Sequence, residues 1–163
     1  MQLVYAARMV WKSFGRENCS LAAAAAVIGD RQTLLVLREV FLRVRRFGEL
    51  QQNTGLARNI LADRLQALVG AGILERREYQ ERPQRFEYRL TQKGLDLYPI
   101  LLGLMEWGAK HESGKAGTLV TLRHTACGHV GSPQLTCPGC GEPVSAREME
   151  ALPGAGAVLK HSA

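Results

Sequence analysis

Leu56-Ala57-Arg58-Asn59-Ile60-Leu61-Ala62-Asp63-Arg64-Leu65-Gln66-Ala67-Leu68-Val69 reads as an amphipathic helix, and Gly70 and Gly72 lead out of it into a hairpin. The hairpin is written Leu74-Glu75-Arg76-Arg77-Glu78-Tyr79, then Gln80 to Arg85, then Phe86-Glu87-Tyr88-Arg89-Leu90. Ile60, Leu61, Leu65, Leu68 and Val69 recur at helical steps and form an inner face. Asn59, Ala62, Asp63 and Gln66 lie opposite, flanked by Arg58 and Arg64. Phe86, Tyr88 and Leu90 alternate with Glu87 and Arg89, the pattern of a half-buried strand. Pro83 falls at the tip, where a missing backbone donor costs nothing. A helix shaped for a groove, followed by a basic two-stranded wing, points to a reader of double-stranded DNA.

Charge supports that direction once it is localised. The 163 residues carry a formal net charge of +6. Between Asp30 and Lys93 there are 13 cations and 8 anions, and 12 of those cations are arginine. Arginine's planar fork suits phosphate and guanine edges. A merely solvated basic face is the competing explanation of charge taken alone.

Outward on the N-terminal side, Cys19 to Ile28 forms an alanine-rich helix ended by Gly29, and Asp30 is an N-cap for the next helix. Apolar residues from Thr33 to Val44 make that helix a central core element, closed by Arg43-Val44-Arg45-Arg46, where the macrodipole favours cations. Phe47 to Gln52 gives a further short helix, and Asn53-Thr54-Gly55 a turn, so that two helices and a Gly-containing turn form a helix-turn-helix. On the C-terminal side, Thr91 caps a long helix from Gln92 to about Lys110. Its leucines, Tyr98 and Trp107 offer more apolar surface than a domain of this size covers alone, which implies a partner subunit.

The segments expected are an N-terminal extension (1–15), a DNA-binding and dimerisation domain (16–111), a linker (112–118), a small second unit (119–152) and a tail (153–163). Translation from Met9 is an alternative start. No apolar run approaches the roughly 20 residues that span a bilayer, and no secretory signal is evident. The chain therefore reads as cytoplasmic, where thiols stay reduced.

In the second unit, His124-Thr125-Ala126-Cys127-Gly128 and Cys137-Pro138-Gly139-Cys140-Gly141 repeat the pattern ligand-x-x-ligand-Gly. Such turns can present donors tetrahedrally, so structural zinc held by His124, Cys127, Cys137 and Cys140 is expected, with His129 as the alternative fourth ligand. Metal would also staple a unit too small for its own core. A deaminase-type catalytic zinc is disfavoured because no His-x-Glu accompanies the Cys-x-x-Cys. Ser145-Ala146-Arg147-Glu148 has the capping-box pattern of a short helix.

These residues resemble the HxlR-type winged helix-turn-helix regulators, relatives of the MarR and ArsR groups of bacterial transcription factors. The resemblance is carried by Cys19, by Ile28-Gly29-Asp30-Arg31-Gln32-Thr33-Leu34-Leu35-Val36-Leu37-Arg38-Glu39, and by Arg45-Arg46-Phe47-Gly48-Glu49-Leu50. It continues in Leu61-Ala62-Asp63-Arg64-Leu65, Gly72-Ile73-Leu74-Glu75-Arg76-Arg77 and Glu87-Tyr88-Arg89-Leu90-Thr91-Gln92-Lys93-Gly94. It spans about residues 16 to 110. Two departures are Gln32, where the family often has Trp, and Ala57, where Ser often caps the recognition helix. Losing that cap weakens the helix start by about 1 kcal/mol.

The fold class expected is mainly α with a small β-hairpin wing, a winged helix-turn-helix, plus a small C-terminal zinc-ribbon-like β unit. The resemblance implies a homodimeric repressor or activator on an inverted-repeat operator, with terminal helices forming the dimer interface; a small-molecule or oxidant effector is a further expectation. Arg58 and Asn59 are placed to read guanine and adenine, and Ala62 a thymine methyl. Asp63 would pair with Arg64 or accept from cytosine. Arg64 and Arg46 join the DNA-facing set, a structural ion pair being the alternative for Arg64, and Arg82 and Arg85 would reach the minor groove or its phosphates. Cys19 sits where oxidant-sensing members carry their thiol, or is a small buried core residue.

Two other functions compete. One is a zinc-ribbon adaptor that binds nucleic acid nonspecifically or docks on protein. The other, an enzyme, finds little support: there is no Ser/His/Asp constellation, no phosphate-cradling glycine loop and no open metal position, and His111-Glu112 stands isolated.

Overall fold

The computed structural model describes residues 19–112, 120–150 and 152. The expected N-terminal extension, the alternative start at Met9, nearly all of the 112–118 linker and the tail from Pro153 lie outside the described residues. The chain divides into two compact units between Leu101 and Leu102.

The first unit contains α1 (Ser20–Ile28), α2 (Arg31–Phe41), α3 (Phe47–Thr54), α4 (Arg58–Gly70), β1 (Leu74–Glu81), β2 (Gln84–Leu90), α5 (Gln92–Leu95) and the start of α6 (Tyr98–His111). Val36, Leu37, Leu50, Leu61 and Leu65 are fully buried, and Leu68, Ile73 and Leu74 nearly so. They join α2, α3, α4 and the root of the wing into one core. β1 and β2 pair antiparallel from Leu74↔Leu90 to Glu81↔Gln84, with a register shift between Glu78 and Gln80.

The basic quartet does not close α2, as its sequence suggests. The helix ends at Phe41, and Arg43 takes φ 68°, the left-handed conformation usually reserved for glycine. Its N–H donates to Val40 O, and that of Val44 donates to Glu39 O, the paired bonds of a Schellman cap. Beyond it, Arg46 bridges Glu87, and Arg45 O accepts from the Tyr88 N–H at 2.9 Å. This segment is therefore held against β2 by one isolated bridge, outside the two-stranded sheet of the wing.

α4 ends in the same cap with the expected residue: Gly72 has φ 69° and donates to Val69 O, and Ile73 donates to Leu68 O. α3 runs through Asn53 and Thr54, expected as a turn, because Gly55 with φ 67° supplies the left-handed stop.

The single long helix expected after Thr91 is two helices. Pro99 lacks the N–H that would bond to Leu95 and its ring crowds that turn, so α5 stops and α6 restarts at Tyr98. Thr91 does cap α5, accepting from the Gly94 N–H at 3.1 Å. Its hydroxyl lies 2.6 Å from Gly72 O, and Lys93 Nζ donates to Ala71 O at 2.8 Å. Gly94 is needed because a Cβ there would strike Ile73 O and stand 2.9 Å from Leu90 Cδ2. The string Thr91-Gln92-Lys93-Gly94 thus staples α5 to the turn that aims the wing.

Candidate nucleic-acid interface

α4 exposes the face expected of a recognition helix. Arg58, Asn59, Ala62, Asp63 and Gln66 are exposed, while Leu61, Leu65 and Leu68 are buried beneath them. Ala57 at the N-cap makes no side-chain capping bond, as its methyl group requires. The amides of the first turn therefore stay available to an acceptor such as phosphate.

Arg58 lies over the Phe47 ring, 5.4 Å from its centroid, and Arg46 over the Tyr79 ring at 4.8 Å. Because Arg46 and Phe47 are adjacent at the start of α3, these two stacks tie the N-terminus of α4 to the wing. Arg82 and Arg85 are exposed at the wing tip. Further in, Arg77 pairs with Glu75 at 2.7 Å and Arg89 with Glu87 at 2.6 Å, so those anions are occupied.

Arg64 behaves differently. Its Nε lies 3.3 Å from Asp30 Oδ1 and 3.3 Å from Gln32 Oε1. The expected Asp63–Arg64 pair is not formed, because Arg64 turns toward the start of α2 while Asp63 stays on the outer face. Gln32, one of the two departures, is thereby a partner of Arg64.

Asp30 caps α2 by accepting from the Thr33 N–H at 2.9 Å. That amide bond, with the Arg64 charge beside it, holds the carboxyl below its ordinary 3.8. A depressed native pKa stabilises the fold above the unfolded value, and the contribution is lost as pH falls through the native value. Asp30→Ala should therefore melt lower than wild type near neutrality, with the gap steady down to about pH 4 and narrowing only below it, as the native carboxyl takes up its proton. Asp30→Asn keeps a capping oxygen, so its smaller gap should close in acid as well; thermal melts across that range decide it.

Sequence reasoning missed two features. Glu39 is 5% exposed, bonded to Arg38 at 2.7 Å and accepting from Asn53 Nδ2 at 2.8 Å. It clamps α3 to α2, and a Glu inside an apolar helix stripe was its only signal. The second is a groove of about 660 Å³ whose lining includes Phe41, Tyr98, Arg43, Arg45, Arg77 and Arg89. Only the reversal at Arg43 brings these arginines together.

Cys19 is the N-cap of α1 and half-buried, its Sγ accepting from the Ala22 N–H at 3.5 Å. Apolar side chains remain exposed on both terminal helices, Leu21 and Val27 on α1 and Ile100, Leu104, Met105 and Trp107 on α6. Among the described residues, no single helix is long and apolar enough to cross a membrane.

In the second unit the two knuckles are built alike. Gly128 N–H donates to His124 O at 2.8 Å, and Gly141 N–H to Cys137 O at 2.8 Å, with the glycines at φ 74° and 78°. Isolated bridges flank them, Arg123↔Val130 and Thr136↔Pro143. His124 Nδ1 lies 3.2 Å from Cys127 Sγ. Backbone amides of Gly139 and Cys140, with the Cys140 side chain, hold the Cys137 thiol below its ordinary 9.0. The donors stand as two pairs: among the described residues no group of three or more His, Cys, Asp or Glu is gathered to hold a metal. The helix expected from Ser145 is a single turn, closed by Glu148 N–H to Ser145 O at 3.0 Å. So short a segment does not repay helix nucleation.

The model of the HxlR-like helix-turn-helix family matches residues 27–115. The HTH-type transcriptional regulator Rv3095 of Mycobacterium tuberculosis is 43% identical over 140 residues, 86% of this chain and 89% of the relative. An HTH-type regulator of Methanothermobacter thermautotrophicus is 35% identical over 58% of this chain and 73% of its own length. The crystal structure of the transcription-factor candidate PA1607 superposes with a TM-score of 0.73 at 34% identity, covering 83% of this chain and 94% of that one. The oxidised form of the redox regulator HypR gives 0.54 at 28% identity, covering 58% of this chain and 99% of that one. The wing, the exposed face of α4 and these matches agree: the chain belongs to the HxlR-like helix-turn-helix family, whose relatives are transcriptional regulators.

Proposed function

We propose that this chain represses transcription as a homodimer bound to an inverted-repeat operator, acting in the cytoplasm and without catalysis. The observation that carries the reading is α4, polar and exposed on one side, with arginine stacks joining its start to a basic wing. The N-terminal half of α4 enters the major groove, where Asn59 reads adenine, Arg58 contacts guanine or phosphate, and Ala62 meets a thymine methyl. Asp63 accepts from cytosine. Arg64 positions α4 through Asp30 and Gln32. The exposed apolar residues of α1 and α6 supply the dimer contact, since patches of that kind mark interfaces. Two-fold pairing of the helices then dictates a palindromic site.

Effectors have two places to act. An oxidant would modify Cys19 at the start of α1. A small organic anion would enter the arginine-lined groove. The alternative, an adaptor that binds nucleic acid nonspecifically, predicts no sequence preference at all.

Selection of bound sequences from a random DNA pool is the test, run with and without a thiol oxidant. A palindromic consensus is expected, and Asn59→Ala should erase preference at one base pair per half-site, worth about 1–3 kcal/mol of discrimination. Recovery of random sequence by the wild-type protein would sink the reading.

A further inference from the structure

We propose that His124, Cys127, Cys137 and Cys140 bind one zinc ion, the two knuckles being preformed halves of a site that the metal closes. The inference is independent of DNA reading. Each half is set by its own backbone: the same amide-to-carbonyl bond within the knuckle, the same left-handed glycine after the second donor, and the same flanking bridge. Cys137 N–H donates to Glu142 O, and His124 N–H to His129 O, both at 2.8 Å, so each chain reversal closes at its first donor. In the first half the two donors already face the same way, His124 Nδ1 lying 3.2 Å from Cys127 Sγ.

The structure also separates the two histidines. The His129 ring lies back over Gly131, where a Cβ would stand 3.1 Å from its Nε2, on the returning arm of the first knuckle. Three thiols and one imidazole are the donor set of structural zinc. On binding, the three thiols release their protons to solvent, and His124 offers the lone pair of Nδ1 as the neutral ring. Leu122 and Ser145 are among the few residues of this unit that are even half-buried. A unit so poor in core draws its folding free energy from the metal.

The test uses the full chain, purified under reducing conditions, with metal content and cobalt spectra as readouts. One zinc per chain is expected. Cobalt in its place should show tetrahedral d–d bands and thiolate charge-transfer absorption. His124→Ala and Cys127→Ser should lose zinc by on the order of 10-fold or more in occupancy after dialysis against a chelator, while His129→Ala retains it. The cysteine variants can simply unfold the small unit, so the wild-type cobalt spectrum stands as the check that needs no variant. Metal-free protein after zinc loading, an octahedral cobalt spectrum, or loss of metal in His129→Ala but not His124→Ala would each overturn the assignment.

Discussion

Replacing Arg82 and Arg85 with alanine is expected to weaken binding to every DNA sequence by on the order of 100- to 1,000-fold near 0.1 M salt. The cause is counterion release. Each wing-tip arginine that neutralises a phosphate frees condensed cations, contributing about 0.9 to the slope of log affinity against log salt. With two wings in the proposed dimer, four contacts vanish and the slope should shrink by about 3 to 4. Glu75 and Glu87 do not compensate the tip, because each is paired with an arginine of its own strand. Among the described residues, neither Arg82 nor Arg85 enters an ion pair. Titrating affinity at several salt concentrations checks this, and an unchanged slope would remove the wing from the interface. Sequence preference should survive, since phosphate contacts position the protein while base contacts specify.

Leu61→Ala is expected to cost about 3 kcal/mol of folding stability, within the usual range for a buried leucine. Leu61 is fully buried on the inner face of α4, one residue from Ala62 on the outer face. The truncation removes apolar transfer energy and leaves a cavity that rigid neighbours on α2 and the wing root cannot fill. Chemical denaturation should show a lower midpoint at unchanged slope. Gln66→Ala, on the exposed side of the same helix, should stay within about 0.5 kcal/mol of wild type. Against a total of about 5–15 kcal/mol, the Leu61 variant still folds at low temperature. Its DNA preference, measured there, should match wild type. A loss below about 1 kcal/mol would mean that Leu61 does not anchor α4 in the core.

The two faces of one helix thus separate stability from reading, and that separation was legible from periodicity alone. So were the wing and the caps at Asp30 and Thr91, because each uses a residue type with a local physical preference. Gly72 marked the end of α4 for the same reason. The homologous end of α2 was hidden: it forms the same Schellman cap on Arg43, a side chain that nothing local drives into the left-handed region. What holds it there is the return of Arg45 and Arg46 onto β2, contacts more than 40 residues away in sequence.

The candidate interface divides along the same line. Arg58, Asn59, Ala62, Asp63, Arg82 and Arg85 follow from helical and hairpin geometry near their own positions. Arg64 does not, since a helical wheel cannot say that Asp30 and Gln32 will lie beside it. The Glu39 clamp and the arginine groove likewise exist only because α2, α3 and the wing converge. By itself, the sequence determined the family, the wing, the two faces of α4 and the spacing of the two knuckles, all matters of period, spacing and residue chemistry. Only the tertiary structure decided where Arg64 points, how α2 ends and how α3 is held, because packing across long sequence separations overrides local preference there.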